Sequence, residues 1–146
     1  MADVGAIMDA IAGQITSQLA GTASPLIEEL QVEPRMVWNP TPPAIDMYPA
    51  SPFQEQMGMG HGNNEVFITV RARVATPDHE GAQDLLLSMM DPAATTSVAL
   101  AITEDETLGG VVEFAGVEPP TEFGAYTDPG GSGALLGCTW RVRVMP

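Results

Sequence analysis

The sequence predicts an α+β fold, a mostly antiparallel or mixed sheet with helices packed on one face, and three observations predict it. Glu65 to Ala75 and Ala134 to Met145 alternate apolar with polar residues at the period of a strand. Two other stretches, one near the N-terminus and one in mid-chain, space their apolar residues at three and four, the period of a helix. The helical stretches are also not interleaved one for one with strands, which favours separate helix and sheet layers over a parallel βαβ array. At 146 residues the chain is expected to be one domain over 1–146, long enough to bury about two-thirds of its unfolded surface.

From Val4 to Leu19, the residues Val4, Ile7, Met8, Ile11, Ile15 and Leu19 make one helix face. Asp3 suits its N-cap and Gly21 its end, while Gly13 weakens the middle by about 1 kcal/mol relative to Ala. Packing must therefore hold this helix. Between Thr22 and Asn64 seven prolines punctuate short apolar stretches. Ile27 to Val32 and Ala44 to Tyr48 read as strands, the second as an edge strand because prolines bracket it. Ser51 to Asn64, rich in Gly, Asn, Met and Gln and without periodicity, reads as a long mobile loop.

In the strand Glu65 to Ala75, Val66, Ile68, Val70, Ala72 and Val74 alternate with Phe67, Thr69, Arg71 and Arg73. A helix then opens at Pro77 or Asp78 and runs to Met90, with Ala82, Leu85, Leu86, Met89 and Met90 as its stripe and acids in its first turn. Asp91-Pro92 ends it. Thr95 or Thr96 suits the cap of a short third helix through Ile102, a segment whose Val98, Ala99 and Leu100 read equally well as strand. Gly109-Gly110 is a turn before a strand from Val111 to Val117 that Pro119-Pro120 closes. Asp128 to Gly133 is a turn or loop before the last strand, where Leu136, Cys138, Trp140, Val142 and Val144 alternate with Thr139, Arg141 and Arg143.

Composition narrows the partners. With five Arg, no Lys and 19 acids, the net charge is -14, which disfavours nonspecific attachment to nucleic acid or to an anionic membrane. No apolar run approaches the ~18 residues of a membrane span, and the first residues lack the basic start of a signal peptide, so a soluble, unprocessed protein without a membrane partner is expected. The single Cys138 forms no disulfide within the chain and reads as a small buried thiol rather than a nucleophile, since no His stands near it.

Chemistry has few candidate residues. His61 and His79 fall in no HxxxH or HExxH spacing, and the acids beside His79 start a helix rather than converge on a metal. Glu104-Asp105-Glu106 lacks the alternate ligands and turn glycine of a calcium loop and reads as a solvated cluster. Neither a P-loop nor GxSxG is present, and Asn39-Pro40-Thr41 is no glycan acceptor because proline stands in the middle. The expectation is a protein that is not an enzyme and carries no catalytic residue, metal or cofactor.

The placement of arginine is more informative. Four of the five sit in two matching patterns, Val70-Arg71-Ala72-Arg73-Val74 and Trp140-Arg141-Val142-Arg143-Val144, each pair on the face opposite its apolar row. As sheet neighbours these strands would gather four guanidinium groups on one face, where acids must intervene. Three readings are open: the arginines solvate an exposed face with local acids, they meet an acidic surface of a second copy, or they touch DNA. Met57 and Met59, with Phe53 as an anchor, give the loop an adaptable apolar surface suited to a partner. The candidate interface residues are thus Arg71, Arg73, Arg141, Arg143, Phe53, Met57 and Met59.

Several phrases together resemble the tail terminator family of long-tailed phages, of the lambda minor tail protein U type. They are the N-terminal helix, the bridge Trp38-Asn39-Pro40-Thr41-Pro42-Pro43, the strand Val66 to Val74, the helix around Leu85-Leu86-Leu87, the stretch from Ser97-Val98 to Thr107-Leu108-Gly109-Gly110-Val111, and the close Trp140-Arg141-Val142-Arg143-Val144. The resemblance covers most of the chain and implies helices on one sheet and self-assembly into a hexameric ring. The ring would cap the tail tube, end its polymerisation and join the tail to the head-side connector. Its partners would be other copies, the major tail tube protein and the connector protein, with genome DNA passing through the channel without specific binding. The location implied is the head-proximal end of the virion tail, after assembly in the host cytoplasm. A head-tail connector or head-completion protein is the alternative in the same setting. A small acidic ligand-binding domain is the more distant one, which a convergent set of polar residues in a pocket would support.

Overall fold

In the computed structural model, residues 3–20, 26–27, 29–37, 41–56, 64–75, 80–127 and 134–145 are described. Helix α1 (Val4–Leu19) starts where expected, the Asp3 carboxylate accepting the Ala6 N–H at 2.7 Å. It buries Ile7, Met8, Ile11, Ala12, Ile15 and Leu19. Helix α2 (Glu80–Met90) buries Ala82, Leu86 and Met89, and α3 (Val98–Thr103) buries Val98, Ala101 and Ile102. Gln14 of α1 joins α1 to α3 by donating to the Ile102 carbonyl at 2.8 Å and more weakly to that of Ala101, in the last turn where a helix leaves carbonyls unpaired, and to that of Asp105, which also accepts the Leu108 N–H. Among the described residues no helix is long and apolar enough to cross a membrane.

The strands are β1 (Gln31–Val32), β2 (Ala44–Gln56), β3 (Asn64–Val74), β4 (Phe114–Val117), β5 (Thr121–Thr127) and β6 (Ala134–Met145). They form one sheet in the order β1-β2-β3-β6-β4, with β5 also paired to β6. Only β1 and β2 run parallel; every other pair is antiparallel, so the fold is the α+β arrangement with a mixed sheet. Two strands share one edge of β6: β4 pairs Val142 to Met145, and β5 pairs Ala134 to Thr139. The row Val66, Ile68, Val70, Ala72, Val74 and the row Leu136, Cys138, Trp140, Val142, Val144 join the buried residues of all three helices in one core. The opposite sheet face points away from the helices.

Several expectations are corrected. Ser51 to Gln56 and Asn64 are not loop but strand, in an antiparallel pair with β3. A register shift between Pro49 and Gln54 and the two prolines there hide the alternation that marks a strand. The rest of that predicted loop, 57–63, lies outside the described residues, as does the predicted turn Asp128 to Gly133. Among the described residues, the predicted strand Ile27 to Val32 is strand only at Gln31–Val32; it pairs β2 at Ala44 and Ile45, so the predicted edge strand Ala44 to Tyr48 has a neighbour on both sides at its start.

The third helix is capped not by Thr95 or Thr96 but by buried Ser97, whose Oγ accepts the Leu100 N–H at 3.2 Å; the Thr96 hydroxyl instead donates to the Ser88 carbonyl. The strand predicted from Val111 begins only at Phe114, because Leu108, Gly109 and Gly110 adopt positive φ and turn the chain there. Pro119-Pro120 does not end the sheet either. It is a kink between β4 and β5, and β5, whose sequence TEFGAYT lacks clean alternation, was not predicted.

Candidate functional site

The open sheet face is built from β2, β3 and β6 in a defined register. Arg71 stands opposite Asp46 on β2 and Thr139 on β6; Arg73 stands opposite Ala44 and Gly137. Arg141 stands opposite Thr69, and Arg143 opposite Phe67 and, on the other side, Gly116. The four arginines do share one face, but antiparallel pairing sets the two pairs end to end, so no two are directly opposed. The repulsion anticipated for a cluster is thereby avoided.

Each pair has its acid. Asp46 is 1% exposed and takes Arg71 in a two-pronged contact, Nε to Oδ1 at 3.0 Å and Nη2 to Oδ2 at 2.6 Å. Arg73 Nη2 reaches the same Oδ2 at 3.1 Å, and the Val37 N–H donates to it at 2.9 Å. The Val37 carbonyl in turn accepts from Arg73 at 2.7 Å, so one buried carboxylate pins two strands and the segment leading into β2. Burial pushes the Arg73 guanidinium below its ordinary value, partly offset by Asp46.

At the other end the pairing is looser. Arg143 is half exposed and lies 3.5 Å from buried Glu65, and Arg141 lies 3.5 Å from Glu118. Arg141 also stacks its guanidinium 3.6 Å above the centre of the buried Phe67 ring.

Two recesses interrupt this face. One, about 290 Å3, lies over Gly116 between Phe114, Val117 and Pro119, with Arg143 and Glu118 at its side. A Cβ on its floor at Gly116 would stand 3.2 Å from the Phe114 ring and press that ring outward. The other, about 280 Å3, is lined by Tyr48, Thr69, Thr121, Glu122, Thr139 and Arg141. Glu122 holds a φ of 58° there, its carbonyl accepting from the Tyr126 hydroxyl at 3.0 Å. Burial first, then the neighbouring Glu122, pushes the Tyr126 phenol up to about 12.

The predicted interface residues therefore divide. Arg71 and Arg73 are engaged within the chain, whereas Arg141 and Arg143 retain solvent-facing surface. The Phe53 backbone lies in β2, but its side chain, like all of Met57 and Met59, lies outside what is described. Sequence reasoning missed Asp46, Glu65, Glu118 and the Phe67 platform. Asp46 was legible in principle, because Ala44, Asp46 and Tyr48 alternate onto one strand face.

Cys138 is buried, and burial pushes its thiol up to about 12, which suppresses the thiolate. Asp105 is tied into its own turn by Thr107 and the Gly109 N–H, and those bonds hold its carboxyl below the usual range. Among the described residues no group of three or more His, Cys, Asp or Glu converges as a metal site; His61 and His79 lie outside them. No protein-family model matches the chain, and no curated protein matches it.

Proposed function

We propose that this chain is a structural subunit that assembles with copies of itself, and that the assembly is the ring that caps a long-tailed phage's tail tube. The observation that carries self-assembly is the asymmetry of the domain. One sheet face is covered by helices; the other bears exposed Phe114 and Met145 beside half-exposed Arg143. That face also pairs its four arginines with Asp46, Glu65 and Glu118, and Glu122 lines the same recess as Arg141. In a chain of net charge -14, a face balanced in this way lowers the repulsion between like-charged copies. An exposed apolar and charge-balanced surface of this kind suits a protein partner.

The tail terminator role rests on the sequence resemblance. On that reading the ring is a hexamer that ends tube polymerisation, joins the tube to the connector and lets DNA pass. Sedimentation velocity and negative-stain electron microscopy of the purified protein, with and without tail tubes, test it. Rings at tube ends are the expected result. A monomer at high concentration in both conditions refutes self-assembly, and rings that ignore the tube refute the terminator role. Labelled particles separate it from a connector by position.

The recess lined by Tyr48, Glu122, Arg141 and three threonines favours a second reading, a binding domain for a small polar ligand. NMR titration with small sugars and carboxylic acids, following the Thr69 and Thr139 amides, tests it; unchanged shifts with all of them remove it.

A further inference from the structure

The recess over Gly116 has an apolar floor and walls with a half-exposed cation on one side. It fits an aliphatic side chain carried between carboxylates. Helix α2 presents that pattern. Leu87 is 51% exposed; exposed Asp84 stands three residues before it on the same helix face, and exposed Asp91, just past the helix end with Oδ1 accepting the Ala93 N–H, stands four after it. Exposed Leu100 on α3 has an acid on one side only, Glu104, with Ser97 and Thr96 on the other.

We infer that the α2 face Asp84-Leu87-Asp91 of one copy docks on a second copy, with Leu87 seated over Gly116 between Phe114 and Pro119 and an aspartate received by Arg143. This rests on the self-assembly proposed above and names its two surfaces. Charge selects the pairing: the described residues of α2 and α3 carry no cation, and on the sheet face, where Asp46 engages Arg71 and Arg73, Arg143 is the arginine most open to solvent. Arg143 keeps half its surface free for a second carboxylate beyond Glu65. Strand addition is the less suitable route to assembly, because Pro49 and Pro52 on β2, and Pro119-Pro120 between β4 and β5, interrupt the donors along both outer edges. Two different patches on each copy make a heterologous contact, the kind that closes into rings.

The test is sedimentation velocity of the full chain over a concentration series, with circular dichroism to confirm that each variant is folded. Leu87→Ser and Arg143→Glu are each expected to weaken self-association about tenfold or more. Joining Asp84→Arg and Asp91→Arg to Arg143→Glu is expected to restore part of it, while Leu100→Ser leaves it unchanged. Wild-type-like association of Leu87→Ser, failure of the charge swap to recover any affinity, or a loss caused by Leu100→Ser instead of Leu87→Ser overturns the assigned surfaces and leaves self-assembly standing. A wild-type protein that stays monomeric throughout overturns both.

Discussion

Replacing Asp46 by Ala should be among the most destabilising single changes on the open sheet face. Its carboxylate is 1% exposed and holds Arg71 at 2.6 Å and Arg73 at 3.1 Å. It also accepts the Val37 N–H. Removing one partner of a buried ion pair typically costs about 3–5 kcal/mol, because the other charge stays buried without compensation. Here the Arg73 side chain, 5% exposed, cannot turn fully to water, whereas Arg71, 16% exposed, recovers part of its hydration. The orphaned N–H adds to the cost but shares the same carboxylate, so the terms do not sum, and a loss of about 4 kcal/mol is expected.

Urea unfolding followed by tryptophan fluorescence reads this directly. With a slope of about 2 kcal/mol per molar, the midpoint should fall by about 2 M. Asp46→Asn keeps an acceptor for Val37 but loses the charge and should fall between Ala and wild type. Asp46→Leu combined with Arg73→Met removes acid and buried cation together and should recover most of the loss. A loss below about 1 kcal/mol for Asp46→Ala would refute the reasoning, since it would mean that both guanidinium groups are served by water.

Three further outcomes are expected. Gly13→Ala should stabilise the fold by about 1 kcal/mol in the same assay, because Gly13 is exposed within α1 and a Cβ there meets nothing within 4 Å. Gly137→Ala should destabilise by about 1–3 kcal/mol, since its Cβ would lie 2.5 Å from the Ala72 carbonyl oxygen and 2.9 Å from the Tyr126 ring, forcing β3, β6 and the tyrosine apart. Cys138 has a folded-state pKa raised to about 12 from 9.0, so its stabilising contribution is complete below pH 9 and is lost as pH rises through about 12. Between those values the wild type should lose about 1.4 kcal/mol per pH unit more than Cys138→Ala, whose pH profile should be flatter; parallel profiles would count against the shift.

Periodicity made the main layers legible without a structure. The period-two rows of β3 and β6 and the helical spacing of α1 depend only on which side of an element meets the core, a property local residue order encodes directly. Where that order is interrupted, legibility ends. The bulge after Pro49 concealed half of β2, and β5 went unseen because Thr121 to Thr127 follow a diproline, hold Glu122 at positive φ and form no alternating row. The matching arginine patterns could also be seen, but not their partners.

What the sequence by itself determined is therefore the α+β class, the core rows of β3 and β6 and the presence of four arginines opposite those rows. Only the tertiary structure decided what the arginines do. Antiparallel register placed the two pairs end to end, and the chain's path brought Asp46 beneath Arg71 and Arg73 but only a looser acid beside Arg143. The physical reason is that burial of a charge, and hence whether it is spent inside the chain or open to a neighbour, depends on contacts between residues far apart in sequence. Composition and spacing do not carry that information.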